Sequence, residues 1–148
     1  MTIYGLRRSV ACYVTRTTDR GDELLVFEYL PDNASGPSGV HIPTGEMARF
    51  EAIEDAARRE VEHSAGVTEL SFERQLGAFE LGLRDAGGPS VTTFVHLTAR
   101  NDGEASWQHT VAADDEGSAS TIAWRWEPLP LTCDLAPNQD LYLDQLTA

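Results

Sequence analysis

The chain has 148 residues, 41% hydrophobic and 24% charged, which suits one globular domain with a single core. Its formal net charge is -13, all 11 cations are arginine, and they form no basic run, so nucleic acid is not expected as a partner. No apolar run approaches the roughly 18 residues of a membrane span, and Met1 to Arg8 lack the apolar stretch of a signal peptide, so a cytoplasmic protein is expected.

The first predicted strand is Ser9-Val10-Ala11-Cys12-Tyr13-Val14-Thr15, which alternates and is rich in β-formers. Asp19-Arg20-Gly21-Asp22 reads as a turn, and Glu23 to Tyr29 as the returning strand of a hairpin. Pro31 to Ser38 is loop composition, and Val40-His41-Ile42 a short strand ending at Pro43. Phe50 to Ala65 is the clearest helix, free of Gly and Pro and followed by Gly66 as a stop. Leu70 to Leu83 reads as extended with a bend at Gly77, Asp85 to Pro89 as a turn, and Val91 to Thr98 as a strong strand.

Asn101 to Ser106 reads as a loop and Trp107 to Val111 as a short strand. An acidic loop, Asp114-Asp115-Glu116-Gly117-Ser118, precedes a strand over Thr121 to Trp126, which Pro128 and Pro130 stop. Pro137 to Leu146 reads as a closing helix with Pro137 in its first turn. The order implies a single α/β layered domain over 1–148, with helices packed on a mixed sheet. Cys12 reads as a buried thiol. A disulfide to Cys133 is not expected, and the two cysteines form no zinc pattern. The four histidines have no zinc-ligand spacing either.

At 100° per residue, Glu60 shares a helix face with Ile53, Ala56, Ala57 and Ser64, with His63 at the edge. Glu51, Glu54, Asp55, Arg58 and Glu62 fall on the opposite side. A lone carboxylate facing the sheet needs a partner, because burying it uncompensated costs several kcal/mol. The partner is either an arginine (Arg7, Arg8 or Arg125) or a metal ion.

The run Gly45-Glu46-Met47-Ala48-Arg49-Phe50-Glu51 … Arg59-Glu60-Val61-Glu62-His63-Ser64-Ala65-Gly66-Val67 resembles the Nudix box, G-x5-E-x7-R-E-U-x-E-E-x-G-U, where U is a bulky aliphatic residue. The match is close over the box and loose over the whole chain. It implies a Nudix-type α/β/α sandwich and metal-dependent hydrolysis of a nucleoside diphosphate linked to another group. It further implies Mg²⁺ or Mn²⁺ bound by the Gly45 carbonyl and Glu60, with Glu51 paired to Arg59 to brace the loop against the helix.

The pattern breaks where the family's paired glutamates fall on His63 and Ser64. Phe50 also stands where the family usually has glycine, and Ala48 replaces a common acid. Losing two carboxylates weakens a hard-cation site. Three readings follow. A weaker site is completed by His63 and a distal acid among Asp114, Asp115 and Glu116. A softer ion such as Mn²⁺ or Zn²⁺ is favoured. Or no metal binds, and the fold serves as a binding or sensor module for a phosphorylated small molecule. The candidate catalytic set is Glu60, Arg59, Glu51 and His63. Trp107, His109 and His41 are candidate substrate contacts through stacking and phosphate bonding. A homodimer is compatible with this reading, and the substrate's identity is not encoded in any readable loop.

Overall fold

A computed structural model describes residues 7–29, 39–81, 89–100, 106–111 and 120–147. Strand β1 (Arg7–Thr18) and β2 (Gly21–Tyr29) form the hairpin, with Thr18 opposite Gly21 and Asp19-Arg20 at its tip. β3 (Thr44–Glu46) precedes the helix α1 (Ile53–Ala65). β4 (Ser71–Leu81), β5 (Ser90–Thr98), β6 (Ser106–Val111) and β7 (Ser120–Pro128) follow, then a short 3₁₀ helix at Leu143–Thr147. They build a seven-stranded mixed sheet in the order β4-β5-β1-β2-β7-β6, with β3 also paired to β1. Only β1 and β5 run parallel among these pairs.

β1 is the centre of the sheet because both its faces are covered. Val10, Cys12 and Val14 join one core cluster with α1, and Ala11 and Tyr13 join another beneath the C-terminal segment. A strand buried on both sides reads as a continuous apolar run, as Val10 to Val14 does. Burial pushes the Cys12 thiol up from its ordinary value, and both Cys12 and Cys133 are free.

The hairpin does not stay zipped. β1 and β2 pair directly only from Thr15↔Leu24 to the turn. Beyond that the segment from Val40 to Glu46 is wedged between them. Phe27 and His41 exchange backbone hydrogen bonds at 2.9 and 2.8 Å, Cys12 N–H donates to the Pro43 carbonyl at 2.8 Å, and β3 pairs with β1 at Ser9, Val10 and Ala11. The expected strand over Val40 to Ile42 is therefore only a pair of isolated bridges, and the ladder comes later, through Gly45.

Two further expectations need correction. The helix begins at Ile53, not Phe50, because Phe50 has φ 64°, a left-handed conformation that a helix cannot contain. A bulky side chain there costs on the order of 1–2 kcal/mol. Glu51 consequently lies before the helix, and its wheel position does not apply. The closing helix over Pro137 to Leu146 is also not formed. Turns run up to the 3₁₀ helix at Leu143–Thr147, with Asn138 at φ 68°. The segment is pinned by tertiary bonds instead: Tyr13 OH donates to the Gln139 carbonyl at 2.6 Å, and Ile42 N–H to Gln139 Oε1 at 2.7 Å. The second face of the sheet thus carries an irregular layer in place of a helix.

α1 ends as predicted. Gly66 has φ 75° and its N–H returns to the Glu62 carbonyl at 3.0 Å. Its buried residues are Ala56, Ala57, Val61 and Ala65, and three alanines let the helix sit close to the sheet.

Candidate functional site

The wedge delivers Gly45 to the side of α1. Gly45 pairs with Val10, whose side chain faces the helix. A Cβ added at Gly45 would lie 1.8 Å from Glu60 Oε1 and 2.4 Å from its carboxyl carbon. Only a glycine leaves room for that carboxylate, so the backbone of β3 and the helical acid meet directly. This juxtaposition depends on the register of β3, which a strand-by-strand reading of the sequence does not supply.

The loop between them is held by ion pairing. Arg59 grips Glu51 with two bonds, Nε to Oε2 at 2.8 Å and Nη2 to Oε1 at 2.9 Å. The same Nη2 donates to the Glu46 carbonyl at 2.9 Å, and Ala48 N–H donates to Glu51 Oε1 at 2.9 Å. One guanidinium and one carboxylate thereby tie β3, the loop and the helix together. The bonds from Arg59 and Ala48 pull the Glu51 carboxyl down to about 2.

Glu60 is treated oppositely. It is half-buried, and no arginine lies within salt-bridge distance of it among the described residues. Arg125, one candidate partner, is engaged by Glu28 and Glu127. Burial pushes the Glu60 carboxyl up from its ordinary value, against smaller opposing effects from Ser64, Arg59 and His63. A carboxylate that is desolvated and lacks an ion pair suits a cation brought by a ligand or from solvent. The residues fit such a cation in part: Glu60 stands against the β3 backbone, and His63 is exposed one turn along α1. Ser64 donates its hydroxyl to the Glu60 carbonyl at 2.6 Å. No group of three or more His, Cys, Asp or Glu side chains converges among the described residues. Asp114, Asp115 and Glu116 lie outside the described residues.

A cavity of about 360 Å³ opens on the other side of Gly45, lined by Ser9, Ala11, Phe79, Phe94 and Asn138 among others. Phe79, Phe94 and Asn138 were not singled out in the sequence. Their convergence comes from the parallel pairing of β1 with β5 and from the pinned C-terminal segment. The Pro137-Asn138 pair, a turn signal, is the local clue to this segment.

The remaining predicted residues lie apart from this cavity's lining. His41 is buried, stacked on Phe27 with ring centroids 5.3 Å apart, and its Nδ1 is 3.3 Å from Gln139 Nε2. Trp107 donates its indole N–H to the Ala65 carbonyl at 2.9 Å and stacks on Trp124 at 6.3 Å, so its ring fastens β6 to the end of α1. His109 lies in β6, opposite Ile122, and its side chain is outside the described set.

A mixed sheet split by a wedge strand, a loop braced by an ion pair and a helix presenting a bare carboxylate define an α/β domain with its site at a loop–helix junction. The chain belongs to the NUDIX family, whose domain model matches residues 5–144. That family is one of nucleotide-linked pyrophosphohydrolases. Among solved structures, a Nudix hydrolase from M. smegmatis, RenU, is similar at 19% identity and TM-score 0.64, over 98% of this chain and 86% of that one. The NUDIX domain of Shewanella oneidensis NrtR, solved with ADP ribose, is similar at 20% identity and TM-score 0.62, over 98% of this chain and 88% of that one. C. elegans Ap4A hydrolase is similar at 17% identity and TM-score 0.52, over 82% and 80%. These identities speak to the fold alone. No curated protein matches the sequence.

Proposed function

We propose that the protein hydrolyses a nucleoside diphosphate linked to another moiety, using a divalent cation, Mg²⁺ or Mn²⁺, at the Gly45–Glu60 step. The observation that carries this reading is the Glu60 carboxylate: half-buried, without an ion-pair partner among the described residues, and packed on a glycine where an added Cβ would displace it. Glu60 and the Gly45 carbonyl would hold the cation, with His63 as the nearest further donor. Asp115 and Glu116 remain the candidate distal acids. When bound, the cation supplies charge neutralisation of the diphosphate and a more acidic water.

The chain's own residues supply the rest. Arg59 and Glu51 fix the loop, so that the β3 backbone and Glu60 keep their spacing. The cavity beside Gly45 offers Phe79 and Phe94 as apolar walls and Asn138 as a polar contact for the nucleoside.

A binding or sensing role is the second reading. It is favoured by the exposed His63 and the bonded Ser64, which stand where the resemblance expects two carboxylates. The deciding experiment is a panel of nucleoside-diphosphate compounds with Mg²⁺, with Mn²⁺ and with EDTA, read for cleavage and for thermal shift. Cation-dependent release of nucleoside monophosphate supports hydrolysis. Thermal stabilisation by a ligand with no product in any metal supports the sensor.

A further inference from the structure

The acidic chain concentrates positive charge in one unexpected place. Arg7, Arg8 and Arg49 line a cavity of about 340 Å³ with Glu46, Met47 and Phe50. Most other described arginines are committed: Arg16, Arg58, Arg59, Arg100 and Arg125 to carboxylates, and Arg74 to the Gln145 carbonyl. Arg7, Arg8 and Arg49 are all exposed and have no carboxylate partner among the described residues. In a protein of net charge -13 such a grouping is not background.

Phe50 completes the arrangement. It is 91% exposed, the most exposed large hydrophobic among the described residues, and it is held at φ 64° where glycine would be unstrained. The Arg49 guanidinium lies over its ring, 5.4 Å from the centroid, which leaves the opposite face free to stack. The loop cannot swing away freely. Met47 N–H is bonded to the Arg8 carbonyl at 2.8 Å, and the Glu51–Arg59 pair closes its other end.

We infer that this cavity binds a phosphorylated aromatic moiety of the nucleoside-monophosphate type. The base stacks on Phe50, and the phosphate is held by Arg7, Arg8 and Arg49. Arginine pairs with phosphate in two-point fashion, and ring stacking accepts any base, so the site favours a class and not one nucleotide. The site adjoins the Gly45–Phe79 cavity at Glu46, which lines both, but Arg7, Arg8, Arg49 and Phe50 line only this one, and it does not require hydrolysis.

The test is calorimetric titration in EDTA with adenosine 5′-monophosphate, with adenosine and with inorganic phosphate. Wild type should bind the monophosphate more tightly than either part. Phe50→Gly should weaken that binding about tenfold while leaving the phosphate alone unaffected. The same variant should melt at a higher temperature, since glycine accepts the backbone conformation, so weaker binding cannot be blamed on unfolding. Arg7→Gln/Arg8→Gln/Arg49→Gln should weaken binding at least as much and flatten its dependence on salt. Arg20→Gln, an exposed arginine at the tip of the β1–β2 hairpin that lines neither cavity, should leave it unchanged. The inference is overturned if wild type fails to bind the monophosphate, if Phe50→Gly binds it normally, or if Arg20→Gln weakens it as much as the triple variant does. Because no metal is present, each result stands whether or not the protein proves to be a hydrolase.

Discussion

Glu51 and Glu60 sit on either side of one loop–helix junction, and the protein treats them in opposite ways. Glu51 receives three hydrogen bonds from two partners and is held down at about 2. Glu60 receives no ion pair among the described residues and is pushed up by burial. The first arrangement stabilises the fold. The second stores a cost that makes sense when the group has a task in a ligand complex. The pair separates the acid that braces the loop from the acid we propose to hold the cation, although both belong to the same sequence motif.

The strongest way to break this contrast is Glu60→Gln. Hydrolysis should fall about 100-fold or more, since the cation we propose there would contribute several kcal/mol of charge stabilisation. Melting in EDTA at neutral pH should instead rise, because the desolvated charge is gone. Undiminished turnover, or a lower melting temperature, would overthrow the assignment.

Arg59→Met attacks the structural partner and should behave differently. Activity should drop about 10–100-fold through misplacement of the loop, and stability should fall as well. The acid limb of stability tests the same brace. Glu51 has a folded-state pKa of about 2 against roughly 4.3 when unfolded. Its contribution is therefore complete above the unfolded value and is lost as pH falls from there to about 2. Melting curves of Glu51→Gln across that range should be flatter than those of wild type.

Gly45→Ala probes the contact between the two regions. The new Cβ would collide with Glu60 Oε1, the end of a flexible side chain, so the carboxylate moves and the backbone need not. Activity should fall about tenfold, with a smaller loss of melting temperature than in Arg59→Met. An unchanged rate would mean that the position of the carboxylate is unimportant.

The smallest effect is expected at His96, a desolvated group away from the junction. Its Nε2 lies 2.8 Å from Thr15 Oγ1, and burial lowers its pKa, with Arg74 adding to the shift and Glu73 and Asp22 opposing it. The unfolded chain takes up the proton first, so stability declines as pH falls below roughly 6.5. His96→Asn should remove that decline in melting experiments and leave catalysis untouched.

Local chemistry made much of this protein legible. β-forming residues marked β1 and β5, Pro128 and Pro130 marked the end of β7, Gly66 marked the end of α1, and the wheel put Ala56, Ala57 and Glu60 on one inner face. The spacing from Gly45 to Glu51 to Arg59-Glu60 carried the family, which residues 5–144 match. Those features depend on neighbours in the chain, through backbone preference and helical period. The missed features depend on neighbours in space. Pro137 opens no helix because Tyr13 and Ile42 bind Gln139 and offer that segment other hydrogen bonds. Phe50 is not helical because the brace of Glu51 on Arg59 and Ala48 closes the loop behind it.

The order of residues by itself determined the sheet-and-helix class, the inward acid and the arginine that steadies its loop. The tertiary structure alone decided that β3 would slide between β1 and β2 and that Arg7, Arg8, Arg49 and Phe50 would gather around one cavity. The reason is physical: pairing register and burial are set by contacts between segments far apart in the chain, and no local pattern encodes them.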